Sequence, residues 1–192
     1  MLPISKPFIN GQYTDSTSEK FFTIHDPSTG KAIAQVPQCT QAEMDAAIAA
    51  AKAAFPAWRD TPVKKRAALM MKLRTLLERD LEELTRLVAT ENGKCWAEAA
   101  GDVGKAIEMT ELACSAPSLL MGESLMDTSA GYDTTLYREP LGVFAGIAPG
   151  NFPAMIPVGW MAPLAIVCGN TFVLKPAPTT PLTCLKIAAL YR

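Results

Sequence analysis

Two polar side chains stand out against a long apolar background: Asn151 and Lys175. No charged residue falls between Glu139 and Lys175, the longest uncharged run in the chain. The segment APGN (148–151) lies inside this run and KPAP (175–178) closes it. A side-chain amide and an ammonium can bind and orient a ligand if the fold brings them to one edge. Each also has a plain structural reading. Asn151 could cap a following helix, and Lys175 could be a solvated charge at a strand end. Spacing alone leaves both readings open.

The other reactive side chains offer less. Five cysteines (Cys39, Cys95, Cys114, Cys168, Cys184) are scattered without a CxxC pair or metal-ligand spacing. That pattern suits reduced thiols in a cytosolic compartment, or a mitochondrial matrix. No histidine or acid marks any of them as an activated nucleophile. His25, the only histidine, stands in the turn-rich HDPSTG (25–30) and reads as a turn residue. Lys plus Arg (18) nearly balances Asp plus Glu (19), so no electrostatic footprint points to nucleic acid or an anionic membrane. The cluster Lys64, Lys65, Arg66 reads as the solvated face of a helix.

The elements that must position Asn151 and Lys175 follow from the same run. An apolar stretch longer than about 18 residues flags a membrane span. Here Pro149, Pro153, Pro157 and Pro163, with Gly142, Gly146, Gly150, Gly159 and Gly169, break it too often for one helix. It divides instead into a buried strand (141–148), a turn, a helix and a second strand (170–175). Pro153 suits the first helical position and Gly169 a C-terminal cap. Strand, helix, strand is a βαβ unit with a right-handed crossover. Ligands of such sheets bind beyond the carboxyl ends of the strands, where Asn151 and Lys175 would converge.

Upstream, Asn10-Gly11 between β-formers signals a hairpin, and 21–24 and 32–36 read as strands. Thr40 and Glu43 form a capping box before a helix with Met44, Ile48, Ala51 and Phe55 on one face. A second helix starts at Thr61-Pro62 with Leu69, Leu73, Leu76 and Leu77 inward. A third is capped by Asp80 and Glu83, has Leu81, Leu84, Leu87 and Val88 inward, and stops at Asn92-Gly93. A fourth spans 95–121, relieved at Pro117, with GDVGK (101–105) on its wet side. Residues 122–132 read as loose and polar, and 133–139 as an edge strand. The pattern of the last helix, from Thr180 or Pro181, runs to Arg192 without a stop signal.

PGNFP (149–153), then GNTFVLKP (169–176), resembles the aldehyde dehydrogenase superfamily. The wording of AGIAP (145–149), NFPAMIP (151–157) and IVCGNTF (166–172) is similar to that of its methylmalonate-semialdehyde dehydrogenases. The resemblance runs over essentially the whole chain, starting at FING (8–11). It implies an α/β fold: an N-terminal hairpin and helices leading into the first βαβ unit of a Rossmann-like nucleotide-binding domain. The division it suggests is 1–121 as strands and helices of that domain, 122–140 as an oligomerisation-type strand, and 141–192 as the βαβ unit. It further implies the N-terminal portion of a longer subunit, assembling as a homo-oligomer (dimer or tetramer).

By resemblance, an aldehyde is oxidised through a cysteine thiohemiacetal, with NAD or NADP as hydride acceptor and water or coenzyme A as acyl acceptor. Asn151 is implied as the oxyanion donor and Lys175 as the partner of the adenosine ribose. Ala148, Pro149 and Gly150 would pass beside the cofactor. The family's nucleophile, general base and glycine-rich phosphate turn lie later in its sequence than this chain reaches. The alternative is a non-catalytic homologue that binds nucleotide or associates with other subunits. Three positions depart from the pattern. Gly150 replaces an aromatic, Pro178 a ribose-binding glutamate, and Lys105 an arginine offered to a substrate carboxylate. The helix after Pro153 carries one extra residue near Gly159, the mark of a bulge.

Overall fold

The computed structural model describes residues 2–192. Strands β1 (Phe8–Ile9) and β2 (Gln12–Tyr13) form the expected hairpin. Asn10 and Gly11 take φ of 52° and 74°, the paired positive values that a two-residue turn of this kind demands. A second hairpin pairs β3 (Phe21–His25) with β4 (Ala32–Pro37). Its turn is tied by Asp26, which accepts the Ser28 N–H at 2.8 Å. Ile24, Ala34 and Val36 make a small core under this hairpin, while His25 is exposed at the strand end.

The helices are α1 (Gln41–Arg59), α2 (Val63–Arg79), α3 (Leu81–Asn92) and α4 (Trp96–Cys114). The chain breaks at Ser115 and resumes as α5 (Ala116–Leu119), which contains Pro117. The capping box at α1 is formed: Thr40 Oγ1 accepts the Glu43 N–H at 3.3 Å, and Glu43 returns a carboxylate to the Thr40 N–H at 2.6 Å. Gly93 ends α3 with φ 81°. The main core joins Leu73 and Leu77, Leu84 and Val88, Val103 and Ala106 to Val158, Val167 and Ile187. Each large apolar side chain buried there contributes about 1.5–3 kcal/mol.

Several expectations need correction. Asp80 does not cap α3: its carboxylate is held by Arg79 Nε at 2.7 Å and Nη2 at 2.8 Å. Leu69 and Leu81, expected inward, are 43% and 38% exposed. No residue of α1 is buried; Met44 and Ala51 instead line an open groove of about 900 Å³ with Leu69, Leu76 and Phe172. Arg66, assigned to a wet face, is buried. Its guanidinium donates to Val167 O at 2.8 Å, to Arg59 O at 3.2 Å and to Thr61 O, taking up carbonyls left free where helices end. In the 101–105 stretch, Asp102 and Val103 are both buried. Residues 122–132 are not loose throughout: β5 (Ser124–Ser129) pairs antiparallel with β6 (Tyr132–Thr135) in a hairpin whose strands are wholly exposed.

The βαβ unit is present, but its strands are not the buried ones expected: Leu141 and Ile147 are 85% and 73% exposed and no residue of 171–175 is buried, because the two strands pair only with each other. Strand β7 (Val143–Ile147) runs parallel to β8 (Thr171–Lys175), with Val143 opposite Thr171 and Ile147 opposite Lys175. The crossover begins as a π-helical segment (Met155–Met161), which is the form the bulge near Gly159 takes, and continues as α6 (Ala162–Val167). Gly159 lies against α4, where a Cβ would meet Ala106 Cα at 2.9 Å. Pro153 is not the first helical residue; it sits buried in the turn, and Ala154 holds the cap position. Gly169 closes the crossover at φ 95°. Helix α7 (Leu182–Ala188) and a 3₁₀ turn (Ala189–Tyr191) follow. Among the described residues no helix is long and apolar enough to cross a membrane.

Candidate functional site

Parallel pairing brings the carboxyl ends of β7 and β8 side by side. The ladder extends one step further, because Ala148 N–H donates to Lys175 O at 3.0 Å. The turn carrying Asn151 and the strand end carrying Lys175 therefore share one edge. Asn151 and Pro149 are exposed, Ala148 is buried and Gly150 is half-buried. The helical segment that follows has Ala154 at its cap position and no side-chain cap, so Asn151 is not a helix cap. Lys175 is exposed and donates to the neighbouring Pro176 O at 2.8 Å, a local bond that a ligand acceptor can displace.

Gly150 fits its place closely. Its carbonyl accepts Asn92 Nδ2 at 2.8 Å and Thr180 Oγ1 at 3.1 Å, while a Cβ there would meet Thr179 Oγ1 at 2.7 Å. A larger residue at 150 would require the Thr179 side chain to turn aside. Pro178 is exposed and brings no acceptor beside Lys175. Lys105 stands on the exposed side of α4 and pairs with Glu108 at 2.6 Å. No hydrogen bond joins it to Asn151 or Lys175.

Sequence reasoning missed the residues that hold this edge from behind. Asp102, 2% exposed, accepts the Met155 N–H at 2.7 Å through Oδ1 and Lys94 Nζ at 2.9 Å through Oδ2. Lys94 Nζ also lies 3.8 Å from the Phe152 ring centroid. Glu91, 3% exposed, accepts the N–H groups of Leu182 and Thr183, both at 2.8 Å, at the start of α7. Burial pushes its carboxyl up to about 7, against the pull of those donors and with a further push from Asp102. The available signal was position: Glu91 follows Leu84 and Val88 at helical spacing, and Asp102 falls between Ala99 and Ala106 on the buried stripe.

The cysteines do not form a reactive centre. Cys184 Sγ is buried and donates to Pro153 O at 3.1 Å; burial, then Glu91 and Asp102, push its thiol strongly up. Burial also raises Cys114 and Cys168, and raises Cys39 with help from Glu43. A raised thiol holds little thiolate, the form that attacks carbonyls. Among the described residues no group of three His, Cys, Asp or Glu could hold a metal ion.

Methylmalonate-semialdehyde/malonate-semialdehyde dehydrogenase [acylating], mitochondrial, of Homo sapiens is 48% identical over 98% of the chain, and the match covers 35% of that protein. Malonate-semialdehyde dehydrogenase 2 of Geobacillus thermodenitrificans is 50% identical over 97% of the chain and 38% of its own length. The chain thus spans little more than a third of these relatives. A crystal structure from Sinorhizobium meliloti, provisionally assigned as a methylmalonate-semialdehyde dehydrogenase and complexed with NAD, superposes with a TM-score of 0.96 at 36% identity. That match covers all of this chain and 39% of the other. The model of the aldehyde dehydrogenase family matches residues 13–192, and the chain belongs to that family of oxidoreductases.

Proposed function

We propose that residues 148–151 and 175–178 form the oxyanion and adenosine-ribose edge of an NAD(P)-dependent aldehyde dehydrogenase. The thiol nucleophile and general base of that enzyme lie outside residues 1–192. The observation that carries this reading is the Ala148–Lys175 backbone bond, which sets the Asn151 turn beside the Lys175 strand end. The nicotinamide, when bound, accepts hydride from the substrate carbon. This chain's own residues bind and orient. Asn151 offers an exposed amide N–H to an oxygen that gains charge, the role of an oxyanion donor. Lys175 exchanges its local bond to Pro176 O for a ribose hydroxyl.

With Pro178 bringing no carboxylate to compete for the ribose, the edge carries one positive charge. A carboxylate there selects NAD, whereas a cation suits a 2′-phosphate. Both dinucleotides are therefore expected to bind. The substrate class is methylmalonate or malonate semialdehyde, with coenzyme A as acyl acceptor, by similarity to the named relatives. Lys105 would meet the substrate carboxylate as a point charge once released from Glu108. The exposed β5–β6 hairpin, with Leu125 62%, Met126 73% and Tyr132 71% exposed, is the surface through which subunits would assemble into a dimer or tetramer.

Calorimetric titration of the 192-residue chain with NAD and NADP, alongside Lys175→Ala, tests the cofactor edge. Binding that the substitution abolishes is the expected result. Binding that survives it unchanged would remove Lys175 from the site, and no binding by either protein would leave the edge incomplete on its own. Malonate in the same series probes Lys105: heat that persists in Lys105→Ala excludes that residue.

A further inference from the structure

The turn from Gly150 to Met155 is gripped from outside, and most of the grip comes from the corner between α3 and α4. Asn92 donates to Gly150 O at 2.8 Å. Lys94 stands over the Phe152 ring at 3.8 Å and pairs with Asp102 at 2.9 Å. Asp102 in turn holds the Met155 N–H at 2.7 Å. Only Thr180 on Gly150 O and Cys184 on Pro153 O come from elsewhere, both from the residues following β8. Asn151 itself sits between the fixed points and is exposed.

Stability alone does not explain the ion pair. The Lys94 and Asp102 side chains are 14% and 0% exposed, and burying each ion costs several kcal/mol that mutual attraction barely offsets. Apolar residues of the same size would hold α4 to the crossover as firmly. They could not accept the Met155 N–H, an orphan donor at the start of a helical segment, nor place a cation on the face of Phe152. Both tasks bear on the backbone immediately after Asn151.

We infer that Lys94 and Asp102 are positioning residues whose ion pair fixes the direction in which the Asn151 amide leaves its turn. The functional meaning rests on the reading of Asn151 as the oxyanion donor; the positional claim stands apart from it. The pair acts as a strut. Asp102 fixes the far end of the turn at Met155, Lys94 fixes the aromatic ring beside Asn151, and Asn92 fixes the near end at Gly150. Loss of the cation frees Phe152 and leaves Asp102 as an uncompensated buried charge.

NMR spectra of the 192-residue chain test this without requiring a ligand. In the unaltered protein, ring current from Phe152 shifts the Lys94 Cε protons upfield of the other lysines. Lys94→Met is expected to move the amide signals of 150–155 and the Asn151 side-chain NH₂, leave the β3–β4 hairpin unmoved, and recover toward the original pattern in Lys94→Arg. Asp102→Asn keeps an amide oxygen for the Met155 N–H but removes its charge, and should accelerate hydrogen exchange at that amide about tenfold, the difference between a charged and a neutral acceptor. Signals of 150–155 unmoved in Lys94→Met, or shifts spread equally over both cores, would overturn the inference. Should Lys94→Met not fold, an ordinary Lys94 Cε shift in the unaltered chain overturns it equally. Failure of dinucleotide binding with these local shifts intact would instead count against the cofactor edge alone.

Discussion

Glu91 makes the stability of this chain depend on pH in a direction opposite to that of most carboxylates. It is 3% exposed and its carboxyl is pushed from 4.5 to about 7, chiefly by burial. A group whose pKa rises on folding binds its proton more tightly in the native state. Its contribution is therefore fully present below the unfolded value and is lost as pH climbs through the folded one. The rise corresponds to ~3.5 kcal/mol at about 1.4 kcal/mol per pH unit. At this chain length about 2–4 °C of Tm accompany each kcal/mol, so the span is roughly 7–14 °C. Thermal unfolding followed by circular dichroism, from pH ~4.5 to ~8, should show that loss in the unaltered chain relative to Glu91→Gln. The difference between the two is the quantity to read, because other carboxylates titrate in both. The substituted glutamine keeps one acceptor for the α7 start and loses the other, a pH-independent cost of about 1 kcal/mol. Parallel Tm curves for the two proteins across that range would refute the argument.

Arg66→Met should destabilise by about 3 kcal/mol, since the carbonyls of Val167, Arg59 and Thr61 each lose a donor worth about 1 kcal/mol or more; urea unfolding reads it, and a midpoint within error of the unaltered chain would contradict the assigned role. Gly159→Ala places a Cβ 2.9 Å from the Ala106 backbone, and should lower stability by about 1–3 kcal/mol unless α4 and the crossover can part.

Much of the local backbone chemistry was legible in the sequence. Asn10-Gly11 needs positive φ at both residues, Thr40 and Glu43 reach each other within one turn, and Gly93 and Gly169 end their helices in the left-handed region. The βαβ unit was legible because two short apolar runs flank a proline- and glycine-broken crossover, and its strand ends named Asn151 and Lys175. β5 was not, because Ser124–Ser129 is exposed on both sides and so carries no alternation to read. The capping role given to Asp80 failed because Arg79 is the nearer claimant on its carboxylate. The grip on the Asn151 turn was hidden for another reason. It depends on Asn92 and Asp102 meeting residues more than 50 positions away, and no helical or strand period encodes such a meeting.

The three buried charges follow one rule that a count of apolar positions cannot express. Arg66 lies on the stripe of Met70, Leu73 and Leu77, Glu91 on that of Leu84 and Val88, and Asp102 on that of Ala99 and Ala106. Each points at a helix end of opposite partial charge. The cation of Arg66 meets the last carbonyls of α1 and α6, Arg59 O and Val167 O. The acidic groups meet first N–H groups, Glu91 at α7 and Asp102 at the π-helical segment. Helix ends carry about half a unit charge, positive at the start and negative at the finish, so each buried side chain is offset in part where it stands, although at Glu91 burial still outweighs the donors and raises the carboxyl. This is why the core tolerates them, and it also fixes where they can act. Asp102 and Glu91 tie down the two elements that begin just after APGN and KPAP, so the residues that satisfy the core's backbone are also those that frame the edge between Asn151 and Lys175.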